Sequence, residues 1–278
     1  MKKYYRKAVL ILMLLPLITI IGCGTKKGDQ YEKASARILE ALEEKYGEEF
    51  ELDKIGAGSG TMNDNTIKAT VRPKSDTRIL FEVEITKDLK KVYDKYLNVL
   101  VAQNNLEPIT QLAQQVWSDS RVEIFNDTVL TYPTDTDRDM SYQTFLERYP
   151  SNWQVITIFV NASDYIDDSG AMDEQGELDK YKAFAEQLAA HRYFKSSVYL
   201  VYLSEEAFGR YDELSNEALL VDHVYTSEES DGSKQNSITR NGFDILENGQ
   251  IKESDDDILR TFSVWEGKRK TYAAGVER

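Results

Sequence analysis

Residues 67–85 read IKATVRPKSDTRILFEVEI, and their pattern decides the fold class. Ile67, Ala69 and Val71 alternate with polar neighbours, and Ile79, Phe81, Val83 and Ile85 also recur at every second position. A period of two sets each group on one face of a pleated strand, so each strand buries one face and wets the other. Pro73, Lys74, Ser75 and Asp76 supply the turn, which predicts an antiparallel hairpin. Upstream, residues 49–55 read as another strand. Before it, Tyr31, Ala34, Ile38, Leu39, Leu42 and Tyr46 fall at helical spacing, and Gly47 follows as a stop. The expected first module is α-β-β-β over residues 31–86, with an antiparallel sheet.

Downstream, Leu89, Val92, Tyr93, Tyr96 and Leu100 mark a helix. Pro108 breaks the pattern and opens a second helical piece carrying Ile109, Leu112, Ala113, Val116 and Trp117. Residues 122–125 and 128–132 predict a hairpin around Asn126 and Asp127. The second half reads differently. Residues 155–160 and 198–203 are continuous apolar runs, as expected of strands covered on both faces. Leu178, Tyr181, Phe184, Ala185 and Leu188 mark a helix between them, which makes a crossover connection. A short helix over 204–214 and strands near 219–225 and 238–246 complete the expected elements, with a polar, acidic loop at 226–235.

The fold class is therefore α+β: an N-terminal α-β-β-β module with an antiparallel sheet, then a second, mixed α/β lobe. The expected division is a leader at 1–22, a tether at 23–30, an N-terminal lobe at 31–132, an acidic linker at 133–140 and a C-terminal lobe at 141–278. The element order of 31–86 is similar to that of the PepSY type of small extracytoplasmic domain.

The leader carries the sharpest motif. Lys2, Lys3, Arg6 and Lys7 form a positive segment, and residues 8–21 are almost wholly apolar, interrupted by Pro16. That stretch is short for a membrane span, which needs about 20 apolar residues, and it reads as a secretory signal. It ends on Ile20-Ile21-Gly22-Cys23, which resembles the lipobox of bacterial lipoproteins. The resemblance implies diacylglycerol on the Cys23 thiol, cleavage between Gly22 and Cys23, and an anchor on the extracytoplasmic face of the cell membrane. Cys23 is the one cysteine in the chain, so its lipidation leaves no thiol for a disulfide, zinc cluster or nucleophile.

Across the chain 34 basic residues face 48 acidic ones, a net of −14. Without the four leader cations the balance is −18, which repels phosphate backbones and excludes nucleic acid as a partner. Asp135, Asp137 and Asp139 stand at alternate positions, like the first half of a calcium loop. Met140 stands where such a loop needs glycine, Leu146 where it needs its last acid, and Arg138 competes within the cluster. A solvated linker, or a cap for a helix over 141–149, is the fuller reading. Asp164, Asp167, Asp168 and Asp173 follow an apolar strand, where α/β proteins place ligands, and Glu253 with Asp255, Asp256 and Asp257 precedes a terminal helix.

Gly56, Gly58, Ser59 and Gly60 match neither a phosphate loop nor a nucleophile elbow. His191 ends a helix and His223 lies beside Asp222 in an expected strand, without metal-binding spacing. Seventeen tyrosines are present; Tyr142, Tyr149, Tyr165, Tyr193 and Tyr211 fall near element ends, where exposed rings suit a binding surface. The expected function is a lipid-anchored binding or interaction protein whose partners are the membrane, through Cys23, and an envelope protein or wall component. No cofactor is expected. The alternative is an extracytoplasmic hydrolase using carboxylates or a divalent cation, with Asp135, Asp137 and Asp139, or the loop of Asp164, Asp167 and Asp168, as its candidate residues.

Overall fold

The computed structural model describes residues 25–56, 65–127, 130–217 and 236–275. Contacts divide the chain into two compact units, Met1–Lys95 with Thr131–Thr136, and Tyr96–Leu130 with Asp137–Arg278. Residues 96–130, expected in the first lobe, therefore belong to the second unit. The final passage between units falls at Thr136 and Asp137, inside the stretch expected as a linker.

The first unit packs α1 (Thr25–Tyr46) on an antiparallel sheet of β1 (Phe50–Ile55), β2 (Thr66–Pro73), β3 (Phe81–Thr86) and β4 (Val92–Asp94). Its last strand, β6 (Tyr132–Pro133), follows β5 (Arg121–Asp127) of the second unit and adds beside β4. Ala69 faces Val83 and Val71 faces Phe81 across the central hairpin, so the alternating residues share one face. They are buried, as are Ala34, Ile38 and Leu42 of α1. Each large apolar side chain so buried contributes about 1.5–3 kcal/mol. Gly47 ends α1 with φ 72°, and its N–H donates to the Glu43 carbonyl at 2.9 Å.

Two local expectations give way here. Val92–Asp94 forms a strand rather than a helical turn, because the free edge of β3 offers backbone partners and both Val92 and Asp94 become buried. The helix starts only at Tyr96. Conversely α2 (Tyr96–Val116) runs through Pro108 without a break. Proline removes one backbone donor, but Val101 and Ala102 before it and Ile109, Leu112 and Ala113 after it are buried and hold both halves.

The second unit is built on a four-stranded sheet in the order β5, β7 (Trp153–Asn161), β8 (Ser196–Leu203), β9 (Ser237–Ile245). Between β6 and β7 lies α3 (Tyr142–Arg148), capped by the Ser141 hydroxyl, which accepts from the Thr144 N–H. β7 and β8 are parallel and joined through α4 (Glu174–Ala190), the crossover expected from their apolar runs. The two outer pairings are antiparallel. The hairpin expected around Asn126 is absent: β5 pairs along its length with β7, while Tyr132 pairs with Asp94 in the other sheet. Burying β5 against a long central strand outweighs a local turn.

One face of this sheet, with Ile156, Ile158, Leu200 and Phe243, is packed by helices. Trp117 at the end of α2 lies 5.9 Å from the Tyr181 ring and 5.5 Å from Phe184 of α4. After β8 come α5 (Glu205–Gly209) and α6 (Tyr211–Glu217), and after β9 come α7 (Asp255–Val264) and α8 (Glu266–Ala273). Tyr181 also packs on Phe243 and on Phe262 of α7. The opposite face is covered at one end, where Phe208, Tyr211 and Leu214 pack over Phe159, Val201, Leu203 and Ala207. Ser254 and Asp257 form a reciprocal capping box at the start of α7, which gives the acidic run before Ile258 a helix-starting role. Among the described residues no helix is long and apolar enough to cross a membrane.

Candidate functional site

The second sheet exposes what its neighbours do not cover. Every residue of β8 is buried except Tyr199, which is 48% exposed, and Phe125 on β5 is 48% exposed as well. The register sets Glu123, Thr157, Tyr199 and Gly242 in one cross-strand row, and Phe125, Val155, Ser197 and Asp244 in the next. Both rows share the face that α5 and α6 cover only at its far end. Val155 and Thr157 are buried on β7, between the strands that bear the two rings. Strands lie about 4.8 Å apart and each residue rises about 3.3 Å along a strand, so the rings rise from backbones about 12 Å apart, diagonally across that floor.

Three features hold this face in shape. Gly242 lies against the Tyr199 ring: a Cβ there would come within 2.6 Å of the Val198 carbonyl oxygen and 2.9 Å of the ring. The ring is therefore seated over a glycine, where any side chain would collide with it. A polar chain crosses three strands: Trp153 Nε1 donates to Ser197 Oγ at 2.8 Å, Ser197 Oγ to Asp244 Oδ1 at 2.6 Å, and Lys252 Nζ to Asp244 Oδ2 at 2.8 Å. Glu123 accepts through Oε1 from Tyr211 and Ser215, both at 2.9 Å, which ties α6 to β5. Gly242→Ala is expected to lower stability by about 1–3 kcal/mol, read by thermal melting, because the Val198 carbonyl is backbone and cannot swing aside.

The residues singled out by sequence lie elsewhere. Asp135 belongs to the first unit and Asp137 and Asp139 to the second, and all three are exposed. Asp137 Oδ1 accepts from the Asp139 N–H at 3.0 Å, a local turn rather than a ligand set. Among the described residues no group of three or more His, Cys, Asp or Glu is arranged to hold a metal. A shallow cavity of about 470 Å³ does follow β7, lined by Asp164, Tyr165, Asp167 and Asp173 among others. Two of its three acids, Asp167 and Asp173, are occupied. Asp167 accepts from the Ser169 hydroxyl and from the Ser169 and Ala171 amides, which hold it below the usual carboxylate range, and Asp173 caps α4 through the Gly176 N–H. His191 caps the other end of α4, its Nδ1 2.9 Å from the Gln187 carbonyl. Cys23, Gly22, His223 and the stretch 57–64 lie outside the described residues.

Tyr165, which lines that cavity, packs 5.5 Å from the Tyr202 ring, and Tyr202 belongs to a buried polar cluster. Glu177 Oε2 accepts from Trp117 Nε1 at 3.2 Å and from the Tyr202 hydroxyl at 2.6 Å, while Lys180 donates to Oε1 at 2.6 Å. Burial first, and then the negative charges of Glu177, Asp164 and Asp119, push the Tyr165 phenol up to about 12. Tyr181 and Tyr202 are raised well above 10, again chiefly by burial. Of the other element-end tyrosines, Tyr142 and Tyr193 are buried and Tyr149 and Tyr211 half-buried. The exposed ring, Tyr199, sits instead inside an apolar run.

No family model matches the chain, and no curated protein matches it. Among solved structures, the chain is similar to a DUF5037 family protein from Ruminococcus gnavus. The two are 17% identical over 84% of this chain and 98% of that chain, with a TM-score of 0.46.

Proposed function

We propose that this protein is a lipid-anchored binding module on the extracytoplasmic face of the cell membrane. It engages an envelope protein or wall component through the face bearing Phe125 and Tyr199. The observation that carries the binding role is Tyr199, the one exposed residue of a strand otherwise buried throughout. Aromatic rings with a polar tip, held rigid on a sheet, give large contact area at small entropic cost. The anchoring role rests on Ile20-Ile21-Gly22-Cys23. At about 0.8 kcal/mol per buried CH₂, two acyl chains on Cys23 suffice for stable attachment.

Two experiments test the two halves. Cys23→Ala is expected to abolish incorporation of labelled palmitate and to shift the processed protein out of the membrane pellet. Equal labelling of variant and wild type would overturn the anchor. A photoreactive phenylalanine analogue at position 199 of the full chain, irradiated in the host cell, is expected to give a discrete crosslink. The same analogue at Glu32, exposed on α1, is expected to give none. Silence at both 199 and 125 would overturn the binding face.

A further inference from the structure

The binding face carries a half-buried carboxylate without a counter-ion. Glu123 receives two hydroxyl donors, and both fall on Oε1. No lysine or arginine among the described residues pairs with it, although its neighbours' cations are all engaged. Arg121, two residues away on the same face, is held by Asp119 at 2.7 Å and stacks 5.2 Å from the Phe208 ring. Arg240 lies 5.0 Å over Trp265, and Lys252 is taken by Asp244. The helices beside this carboxylate add Glu205, Glu206, Asp212 and Glu213, all exposed, against Arg210, which bridges Glu206 and Glu213. The face therefore has a local negative excess within a chain of net charge −14.

We infer that the occupant of this face is a partner protein that inserts a basic side chain, lysine or arginine, against Glu123 between Phe125 and Tyr199. This rests on the binding-face reading above and adds the chemistry of the partner. Three features of the face favour a cation. Tyr211 and Ser215 fix the orientation of the carboxylate while leaving Oε2 to accept. The two exposed rings carry negative π-faces, to which an ammonium or guanidinium is attracted. The surrounding acids steer such a partner and repel acidic ones. A protein suits the site better than a free amine, because both rings stand about half exposed on the sheet, whereas small ligands are held in enclosed clefts. Aromatic rings and arginine are enriched among the residues that dominate protein interfaces, which suits a partner that brings a basic side chain to these rings.

The test uses the full-length protein in its own membrane. A photoreactive analogue is placed at Phe125, and the crosslinked peptide is sequenced by mass spectrometry in the background of Glu123→Gln and, separately, of Glu32→Gln. Glutamine still accepts from Tyr211 and Ser215, so the fold is retained while the charge is lost. The expected result is a captured segment with lysine or arginine within a few residues of the crosslink. Its yield should fall about tenfold with Glu123→Gln, stay unchanged with Glu32→Gln, and decline as salt rises. Full yield with Glu123→Gln would overturn the inference and leave the binding face standing. So would capture of a segment lacking basic residues, a second copy of this chain joined through such a segment included. No crosslink from either 125 or 199 would overturn both. The sequence of the captured segment in otherwise unaltered protein decides the matter even if Glu123→Gln misfolds.

Discussion

Asp94→Ala is expected to destabilise the first unit by about 3–5 kcal/mol, the cost of leaving a buried charge without its partner. Asp94 ends β4 with its side chain fully buried. Lys45 Nζ, on a side chain only 4% exposed, approaches Oδ2 at 3.1 Å, and the Tyr46 hydroxyl donates to Oδ1 at 2.6 Å. Lys45 also donates to the Pro133 carbonyl at 3.1 Å. The Lys45–Asp94 pair thus joins the last turn of α1 to two strands too short to hold themselves, β4 through the carboxylate and β6 through the ammonium. A cation at that end of the helix also complements the helix dipole. Domains of this size are stable by about 5–15 kcal/mol in total, so the loss is a large share.

Tryptophan fluorescence makes the loss readable unit by unit. The chain has three tryptophans, Trp117, Trp153 and Trp265, and all lie in the second unit. In urea the far-UV transition of Asp94→Ala should begin about 1 M or more below that of the wild type, while the tryptophan transition stays in place. The double variant Lys45→Met with Asp94→Leu should recover part of the loss, since it leaves no orphan charge, while the buried Tyr46 hydroxyl still loses its bond to Asp94. A double variant as unstable as Asp94→Ala would show that packing, not the uncompensated ammonium, sets the cost.

The contrast between what was legible in the sequence and what was not follows the range of the interactions. The β2–β3 hairpin, α1 with its glycine stop, and a helix starting at the acidic run before Ile258 are written within a few residues each. So are the parallel strands, because a run such as 198–203 lacks the alternation of apolar and charged residues that marks a strand with one wet face. Val92–Asp94 misled because Leu89, Val92, Tyr93 and Tyr96 mimic a helical stripe. What decides their conformation is the open edge of β3 and a lysine 49 residues upstream of Asp94. The partner of β5 was hidden for the same reason. The binding face was the least legible part. Nothing in an apolar run says which residue stays uncovered, since that depends on where α5 and α6 stop. Glu123 meets Tyr211 and Ser215 across 88 and 92 residues, with no local signal at either end.

Glu177→Ala is expected to cost the second unit a similar amount, about 3–5 kcal/mol, for a different physical reason. Here the loss strands donors. Trp117 Nε1 and the Tyr202 hydroxyl are buried and would lose the acceptor they share, while Lys180, partly exposed, can return to water. Glu177→Gln separates charge from shape. It keeps an acceptor and the volume, so it should cost less than the alanine, and its signature is electrostatic. Removing one negative charge near Tyr165 should bring that phenol down from about 12, though still above 10, because burial is the larger cause.

The same shift fixes the alkaline behaviour of this unit. Unfolded tyrosines release their protons near 10, while folded Tyr165 holds its proton to about 12 and Tyr181 and Tyr202 hold theirs beyond the ordinary value. Above pH 10 the unfolded chain therefore binds fewer protons than the folded one. Stability present in full below pH 10 is lost as the pH rises toward 12. Tryptophan-detected unfolding should thus move to lower urea over that window, and the Tyr165→Phe variant should lose part of this dependence. A tryptophan transition flat from pH 9 to 12 would mean that these phenols already reach water in the folded state. Glu177 would then not be the sealed acceptor that its three donors describe.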